Sequence, residues 1–297
     1  MPGECGFVIV DKEAGWTSHD VVARLRGIFK ERRVGHGGTL DPPATGVLVV
    51  AIGRATRLLR YLSATTKEYV GEVVLGSTTT TLDSQGEVTE RFDMQVPTLE
   101  QFQALCRTFV GETSQRVPLY SAVKVGGERL HRLARAGKDI ERPVRNVVIE
   151  RLVASEGSRP GTFTVEVRCS AGTYVRAIAA DLGQALGGGA HLGSLRRVAV
   201  GPFGPRHAMT IGMIAAALER GDPVLWSPSD ALPLPKLQVD AETARRVRHG
   251  RAIAPIAPIG TTGSFGVIDE TGALLGVYSM RGAGSVPEVI LAVPERR

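Results

Sequence analysis

Short apolar runs and amphipathic stretches alternate along this chain, and each announces itself by its period. Phe7-Val8-Ile9-Val10 is a continuous apolar run ended by Asp11-Lys12, which predicts a buried strand. Thr17-Ser18-His19-Asp20 reads as a helix start, with Thr17 or Ser18 as cap and Asp20 at the positive end. Val21, Val22, Leu25, Ile28 and Phe29 then share one helical face, leaving Arg24, Arg26, Lys30 and Arg33 outside. Val47-Leu48-Val49-Val50-Ala51-Ile52 predicts a second buried strand. Residues 67–76 alternate, with Tyr69, Gly71, Val73 and Leu75 on one side. Leu99, Phe102, Leu105 and Phe109 fall at helical spacing within residues 97–110.

The pattern then turns basic. Residues 115–124 read as extended and lead into a short Arg-rich helix over 130–136. Arg129, His131, Arg132, Arg135, Lys138, Arg142 and Arg145 make this excursion densely cationic, a composition suited to a phosphate backbone. Residues 144–154 and 162–170 read as paired strands. Ala171-Gly172-Thr173-Tyr174-Val175-Arg176 passes from strand into a helix over 177–186, which Gly187-Gly188-Gly189 closes before a strand over 192–200. The Pro-rich segment 223–235 reads as a domain linker. A helix over 241–249 and strands around 265–268 and 289–293 follow it. Strands and helices without strict βαβ alternation predict an α+β fold with a mixed, largely antiparallel sheet.

Composition narrows the function classes only a little. The formal charge of +6, from 36 Lys and Arg against 30 acids, suits a nucleic-acid partner and simple solubility about equally. Cys5, Cys106 and Cys169 lie far apart, and no signal peptide precedes them, so a reducing cytoplasm is the expected home. The six histidines form no ligand set with a recognisable spacing, so no metal is expected. No apolar run reaches the length of a membrane span.

The most informative stretch is Gly35-His36-Gly37-Gly38-Thr39-Leu40-Asp41-Pro42-Pro43-Ala44-Thr45-Gly46. Its glycines let backbone approach a ligand, and its prolines hold Asp41 at a fixed angle. A phosphate-cradling P-loop is excluded by the missing Gly-Lys-Ser/Thr ending. A dinucleotide fingerprint fails because Leu40 stands at the third glycine and a strand follows. A plain turn, with Asp41 bonding its own backbone, remains open. Tyr69 and Arg176 likewise sit in or beside apolar elements, and each alone has a mundane reading as core aromatic or solvated cation. Spacing along the chain does not say whether the three meet.

Gly35 to Asp41 with Pro42 and Ala44-Thr45-Gly46 resembles the catalytic motif of the TruB-type tRNA pseudouridine-55 synthases. Lys67-Glu68-Tyr69 resembles the family's tyrosine motif, and Gly172-Thr173-Tyr174-Val175-Arg176 its arginine motif. Val117-Pro118-Leu119-Tyr120-Ser121-Ala122-Val123-Lys124 is similar to its RNA-gripping insertion, here about 112–145. Gly189-Ala190-His191-Leu192 with Leu195-Arg196-Arg197 is similar to the segment after the arginine helix. These blocks occur in the family's order and reach to about residue 200.

The resemblance implies a pseudouridine synthase fold over residues 1–232 and a small β-rich, PUA-like RNA-binding domain over 236–297. It implies isomerisation of one T-loop uridine of tRNA after base flipping, with no cofactor and no metal. Asp41 would be the essential carboxylate, its ionised form favoured by Arg176, and Tyr69 would stack on the base. His36 would fill space vacated in the T-loop, Leu195 would line the pocket, and Tyr174 would pack the arginine. Lys12 would be structural or phosphate-facing, while Lys124, Arg129 and Arg132 would grip RNA. Arg245, Arg246, Arg248 and Arg251 would contact the acceptor stem, or form a solvated helix face. Pro43 replaces the family's usual leucine, and Glu13 stands where proline often follows Lys12. A binding module without catalysis needs none of Asp41, Tyr69 and Arg176. A glycoside hydrolase needs a second carboxylate, and the sequence displays none in a comparable setting. The insertion suits stand-alone RNA gripping better than a guide-RNA-dependent synthase.

Overall fold

The computed structural model describes residues 5–136, 140–254, 263–282 and 284–291. Strand β1 (Gly6–Lys12) leads through helix α1 (Ser18–Phe29) to β2 (Val34–His36) and β3 (Thr45–Ile52). Helix α2 (Leu59–Ser63) precedes β4 (Lys67–Leu75), followed by a small hairpin of β5 (Ser77–Thr79) and β6 (Val88–Arg91). Next come α3 (Leu99–Thr108), β7 (Gly111–Arg116), the hairpin β8 (Lys124–Val125) and β9 (Glu128–Arg129), and α4 (Leu130–Arg135). The hairpin β10 (Val144–Glu156) and β11 (Thr162–Cys169) leads to α5 (Val175–Ala185) and β12 (Ala190–Val200). Helices α6 (Ile211–Arg220) and α7 (Pro228–Ala231) precede β13 (Lys236–Gln238), α8 (Ala241–Arg248), β14 (Ser264–Ile268), β15 (Leu274–Arg281) and β16 (Gly284–Ile290).

The main sheet runs β1-β3-β12-β4-β11-β10-β7, with β2 also on β3. Only β12 against β3 is parallel; the other pairings are antiparallel. This is the mixed, largely antiparallel α+β architecture that the pattern predicts. The continuous apolar runs in β1 and β3 have a physical reason: both faces are covered. Val8, Val10, Leu48 and Val50 join α1 and α5 in one core. Phe7, Ile9, Val47 and Val49 face the other way, onto Leu58, Leu62 and residues Val277, Val289 and Leu291 of the C-terminal part. The four-stranded sheet β13-β14-β15-β16 with α8 makes a small β-rich unit with its own core around Phe265 and Tyr278. It is fastened further by Arg54 and Arg57, which donate to the carbonyls of Leu291 (2.9 Å) and Ile290 (2.7 Å).

Two sequence expectations change, and one helix is new. The segment 223–235 is no loose linker: Trp226 and Phe7 exchange backbone hydrogen bonds (2.7 and 2.9 Å), and Ala231 and Leu232 are buried. The edge of β1 has unpaired main-chain groups that this strap satisfies. Helix α5 begins two residues early, at Val175, because Val175 itself is buried in the core and starts the apolar face. Helix α6 stands outside the sequence reading; its signals are the cap Thr210 and Ile211, Ile214 and Leu218 at helical spacing.

Strands β3 and β12 approach so closely that Gly46 is dictated. Its φ is +101°, and a Cβ there would stand 2.2 Å from the carbonyl oxygen of Arg197. Gly46→Ala is expected to destabilise the fold by about 3 kcal/mol or more, from backbone strain and overpacking together. Urea unfolding measures it, and an unchanged midpoint would contradict the close approach.

Candidate active site

The Asp41 loop is held from both sides before any ligand arrives. Ser18, the first residue of α1, receives the Leu40 N–H (2.9 Å) and donates to the Leu40 carbonyl (3.2 Å). On the far side of Asp41, the carbonyl of Pro42 accepts from the Gly15 N–H (2.8 Å) and the Lys12 ammonium (3.2 Å). Asp41 itself closes a turn, its carbonyl accepting from Ala44 N–H (3.0 Å), with Pro42 and Pro43 between them. Two fixed φ angles make the turn stiff. From below, Arg197 donates to the carbonyls of Val47 (2.7 Å), Gly38 (3.1 Å) and Thr39 (3.5 Å) and is 1% exposed. The turn is closed by the main-chain carbonyl of Asp41 and not by its side chain, as an Asx turn would be, which leaves the carboxylate for Arg176.

That carboxylate meets Arg176, whose Nε lies 3.0 Å from Asp41 Oδ2. Arg176 occupies the first turn of α5 and is 5% exposed. Its Nη1 donates to the Thr81 carbonyl (2.7 Å) and its Nη2 to the Tyr120 carbonyl (3.0 Å), so its whole fork is engaged. A second acid is present after all. Asp83 Oδ2 lies 3.5 Å from Arg176 Nη1, while its Oδ1 accepts from Thr81 Oγ1 (2.6 Å) and Gln85 N–H (3.0 Å). Asp83 was hidden in a polar loop between β5 and β6. It flanks the arginine and does not line the pocket, so the two acids do not straddle a bond as a glycoside hydrolase requires.

Asp41, Tyr69, Tyr174, Arg176 and Leu195 line one pocket of about 380 Å³. Lys67, Arg145 and Arg197 line it as well. Tyr69 is buried on β4, and burial raises its phenol above the usual 10.0, which keeps it neutral. Tyr174 precedes α5, and its backbone is held by both ends of the buried Gln115 amide, at 2.7 and 3.0 Å. Burial also lowers Lys67 to about 8; its ammonium donates to the carbonyls of Ser63 and Thr65. The sequence leaves open whether Asp41, Tyr69 and Arg176 meet, and here they share one cavity.

A model of the TruB family pseudouridylate synthase N-terminal domain matches residues 26–175. One of the tRNA pseudouridylate synthase B C-terminal domain matches residues 176–225. The tRNA pseudouridine synthase B of Rhodococcus jostii (strain RHA1) is 45% identical over 281 residues, covering 93% of this chain and 90% of that protein. That of Thermobifida fusca (strain YX) is 44% identical, covering 97% and 98%. The chain belongs to the TruB family of pseudouridylate synthases. A solved Cbf5-Nop10-Gar1 complex contains a chain that is 27% identical, with a TM-score of 0.75 over 98% of this chain and 86% of that one. An H/ACA RNP bound to a substrate RNA shares the fold at 24% identity, with a TM-score of 0.75 and the same coverage.

Within this TruB-family frame, the other expected site residues lie outside the pocket lining. His36 stands on β2 with its ring 5.6 Å from that of His19, edge to face. Burial, His19 and Arg197 push it below 6.5, so the ring is neutral, and its buried Nδ1 has no hydrogen-bond partner among the described residues. Lys12, at 1% exposure, is spent on the carbonyls of Glu13 (3.0 Å), Trp16 (2.7 Å) and Pro42 (3.2 Å). It braces the loop, and no RNA phosphate reaches its ammonium in this arrangement. Because Lys12 uses the main-chain oxygen of residue 13, Glu13 serves as well as proline. Lys124, Arg129 and Arg132 are exposed on the insertion around β8, β9 and α4. Lys138 and the side chains of His131 and Arg135 lie outside the described residues.

Arg176 favours the ionised form of Asp41, and burial opposes it more strongly. Burial raises Asp41 above its ordinary 3.8; Arg176 pulls it down, Asp83 pushes it up, and Lys12 pulls it down more weakly. The arginine therefore offsets desolvation without overcoming it. An enzyme that needs ionised Asp41 is expected to lose kcat/KM on acidification with a midpoint above 3.8. Arg176→Gln should move that limb further up, because the cation that favours the ionised form is gone. A pH profile with an unmoved limb in the variant would contradict the pairing.

Proposed function

We propose that this protein converts uridine 55 in the T-loop of tRNA to pseudouridine, with Asp41 as the essential carboxylate. The observation that carries the reading is the meeting of Asp41 with Arg176 (3.0 Å) in a pocket also lined by Tyr69 and Leu195. The reaction breaks the N1–C1′ bond, joins C1′ to C5, releases the C5 proton and leaves a proton on N1. Ionised Asp41 serves whether it attacks carbon or removes a sugar proton. Neutral Tyr69 offers a face to the base and a polar tip beside it. The target base is stacked inside the T-loop, so it is flipped out at a cost of a few kcal/mol.

Support for a tRNA substrate comes from relatives that bear the name tRNA pseudouridine synthase B and align over most of the chain. The exposed basic insertion with Lys124, Arg129 and Arg132 suits the T-arm backbone. His36, beside the pocket, suits the space left by the flipped base. The β-rich unit beyond residue 236, read as PUA-like, carries exposed Arg245, Arg246 and Arg251, which suit the acceptor stem. Such a substrate places the work in the cytoplasm.

Incubation with unmodified tRNA, followed by mapping pseudouridine along the chain, tests the reading. Product confined to the T-loop uridine is expected. Binding without product would favour a non-catalytic RNA-binding module, and product at another position would correct the substrate.

A further inference from the structure

Among the described residues four cations line the pocket, and three of them are already committed. Lys67 is buried on two carbonyls, Arg176 on two acids and two carbonyls, and Arg197 on three carbonyls. The fourth, Arg145, is exposed, and none of the ion pairs among the described residues involves it. A nucleotide entering this pocket brings its phosphodiester to the mouth, where an uncommitted cation is needed to offset the charge.

Arg145 is also held where such a group would arrive. It is the second residue of β10 and pairs with Gln115 on β7. Gln115 in turn grips both backbone groups of Tyr174, next to the first turn of α5 that bears Arg176. The end of β10 that carries Arg145 is thereby latched, through the edge strand β7, to the Asp41–Arg176 ion pair. Its Nη1 lies 3.7 Å from where a Cβ on Gly172 would stand, and Gly172 adopts a φ of +88° at the corner before α5. The bare corner leaves the guanidinium room over the pocket. A planar fork of donors matches two phosphate oxygens, which a solvated surface cation has no need to do.

We propose that Arg145 grips a phosphate that flanks the flipped uridine and so fixes the nucleotide over Asp41. This rests on the substrate reading above. Arg145 is a positioning residue; it acts on the backbone and leaves the bond exchange to Asp41.

The test uses the full chain and T-arm stem-loop RNAs carrying a single neutral methylphosphonate on either side of the target uridine. Arg145→Gln is expected to keep the wild-type melting temperature and to lose roughly 10- to 100-fold in kcat/KM on unmodified RNA. One of the two methylphosphonates should cost the wild type a similar factor and cost Arg145→Gln little more. The slope of log affinity against log salt should fall by about one unit in the variant. Arg145→Lys, which keeps the charge without the fork, should recover part of the loss. If both methylphosphonates reduce wild type and Arg145→Gln by equal factors, Arg145 does not contact either phosphate and the proposal falls. If the wild type makes no pseudouridine in the unmodified stem-loop, the substrate reading itself fails, which is a different result.

Discussion

Asp41→Asn is expected to abolish pseudouridine formation, a loss on the order of 10⁴-fold or more in kcat, as when a group that handles the reacting bond is removed. RNA affinity should stay within about threefold of the wild type, since phosphate contacts dominate it and none passes through this carboxylate. Stability moves the other way. Asp41 binds its proton more tightly in the folded chain than an ordinary aspartate does, because burial exceeds the pull of Arg176. Between 3.8 and the raised value, the group's contribution to stability falls as pH rises. Above that window the ionised form carries a constant cost. A neutral isostere removes this cost, and Arg176 keeps Asp83 and the carbonyls of Thr81 and Tyr120. The melting temperature of Asp41→Asn at neutral pH is therefore expected to equal or exceed that of the wild type. Turnover surviving in the variant would remove Asp41 from the chemistry. A melting temperature several degrees lower would show that the ion pair is net stabilising.

The fold holds the main chain on both sides of Asp41 with side chains from three elements. Ser18, Lys12 and Arg197 each come from a different element, and each fixes main chain within three residues of Asp41. A carboxylate held this way needs little reorganisation when charge develops nearby.

Much of this was legible before the structure. The continuous apolar runs of β1 and β3, the alternation in β4 and the cap at Thr17 all form the elements their periods predict. Asp41, Tyr69 and Arg176 stood out as polar residues at the ends or on the inner faces of apolar elements. Their meeting was invisible, because sheet order brings β4 beside β12 and β12 beside β3, and order is not written in local spacing. Asp83 was missed for the same reason: its significance lies in a long-range pairing with α5. The strap at Trp226 was missed because prolines signal a break in regular structure equally well in a linker and in a docked edge segment. Arg197 is a different case, since period-two alternation puts it on the same face as pocket-lining Leu195 and puts Arg196 outside, where it pairs with Asp11 at 2.8 Å.

Replacing Arg197 should accordingly have the largest effect on stability. Arg197→Met keeps much of the aliphatic volume and removes the guanidinium that joins β12 to the Asp41 loop. Two well-formed bonds, to Val47 and Gly38, are lost along with the longer one to Thr39. Hydrogen bonds from a charged donor contribute about 1.5–3 kcal/mol each, and buried carbonyls left without a donor add their desolvation cost. A net loss of about 3–5 kcal/mol is expected, which for a domain of this size lowers the melting temperature by roughly 10 °C. Activity should fall more than the folded fraction does, because the Gly38 and Thr39 carbonyls lie just before Asp41 and lose their tether. Thermal unfolding gives the first quantity, and turnover well below the transition gives the second. Full turnover at low temperature with a lowered melting point would confine Arg197 to holding the sheet. An unchanged melting point would mean that water satisfies those carbonyls at no cost, and the tether would have to be abandoned.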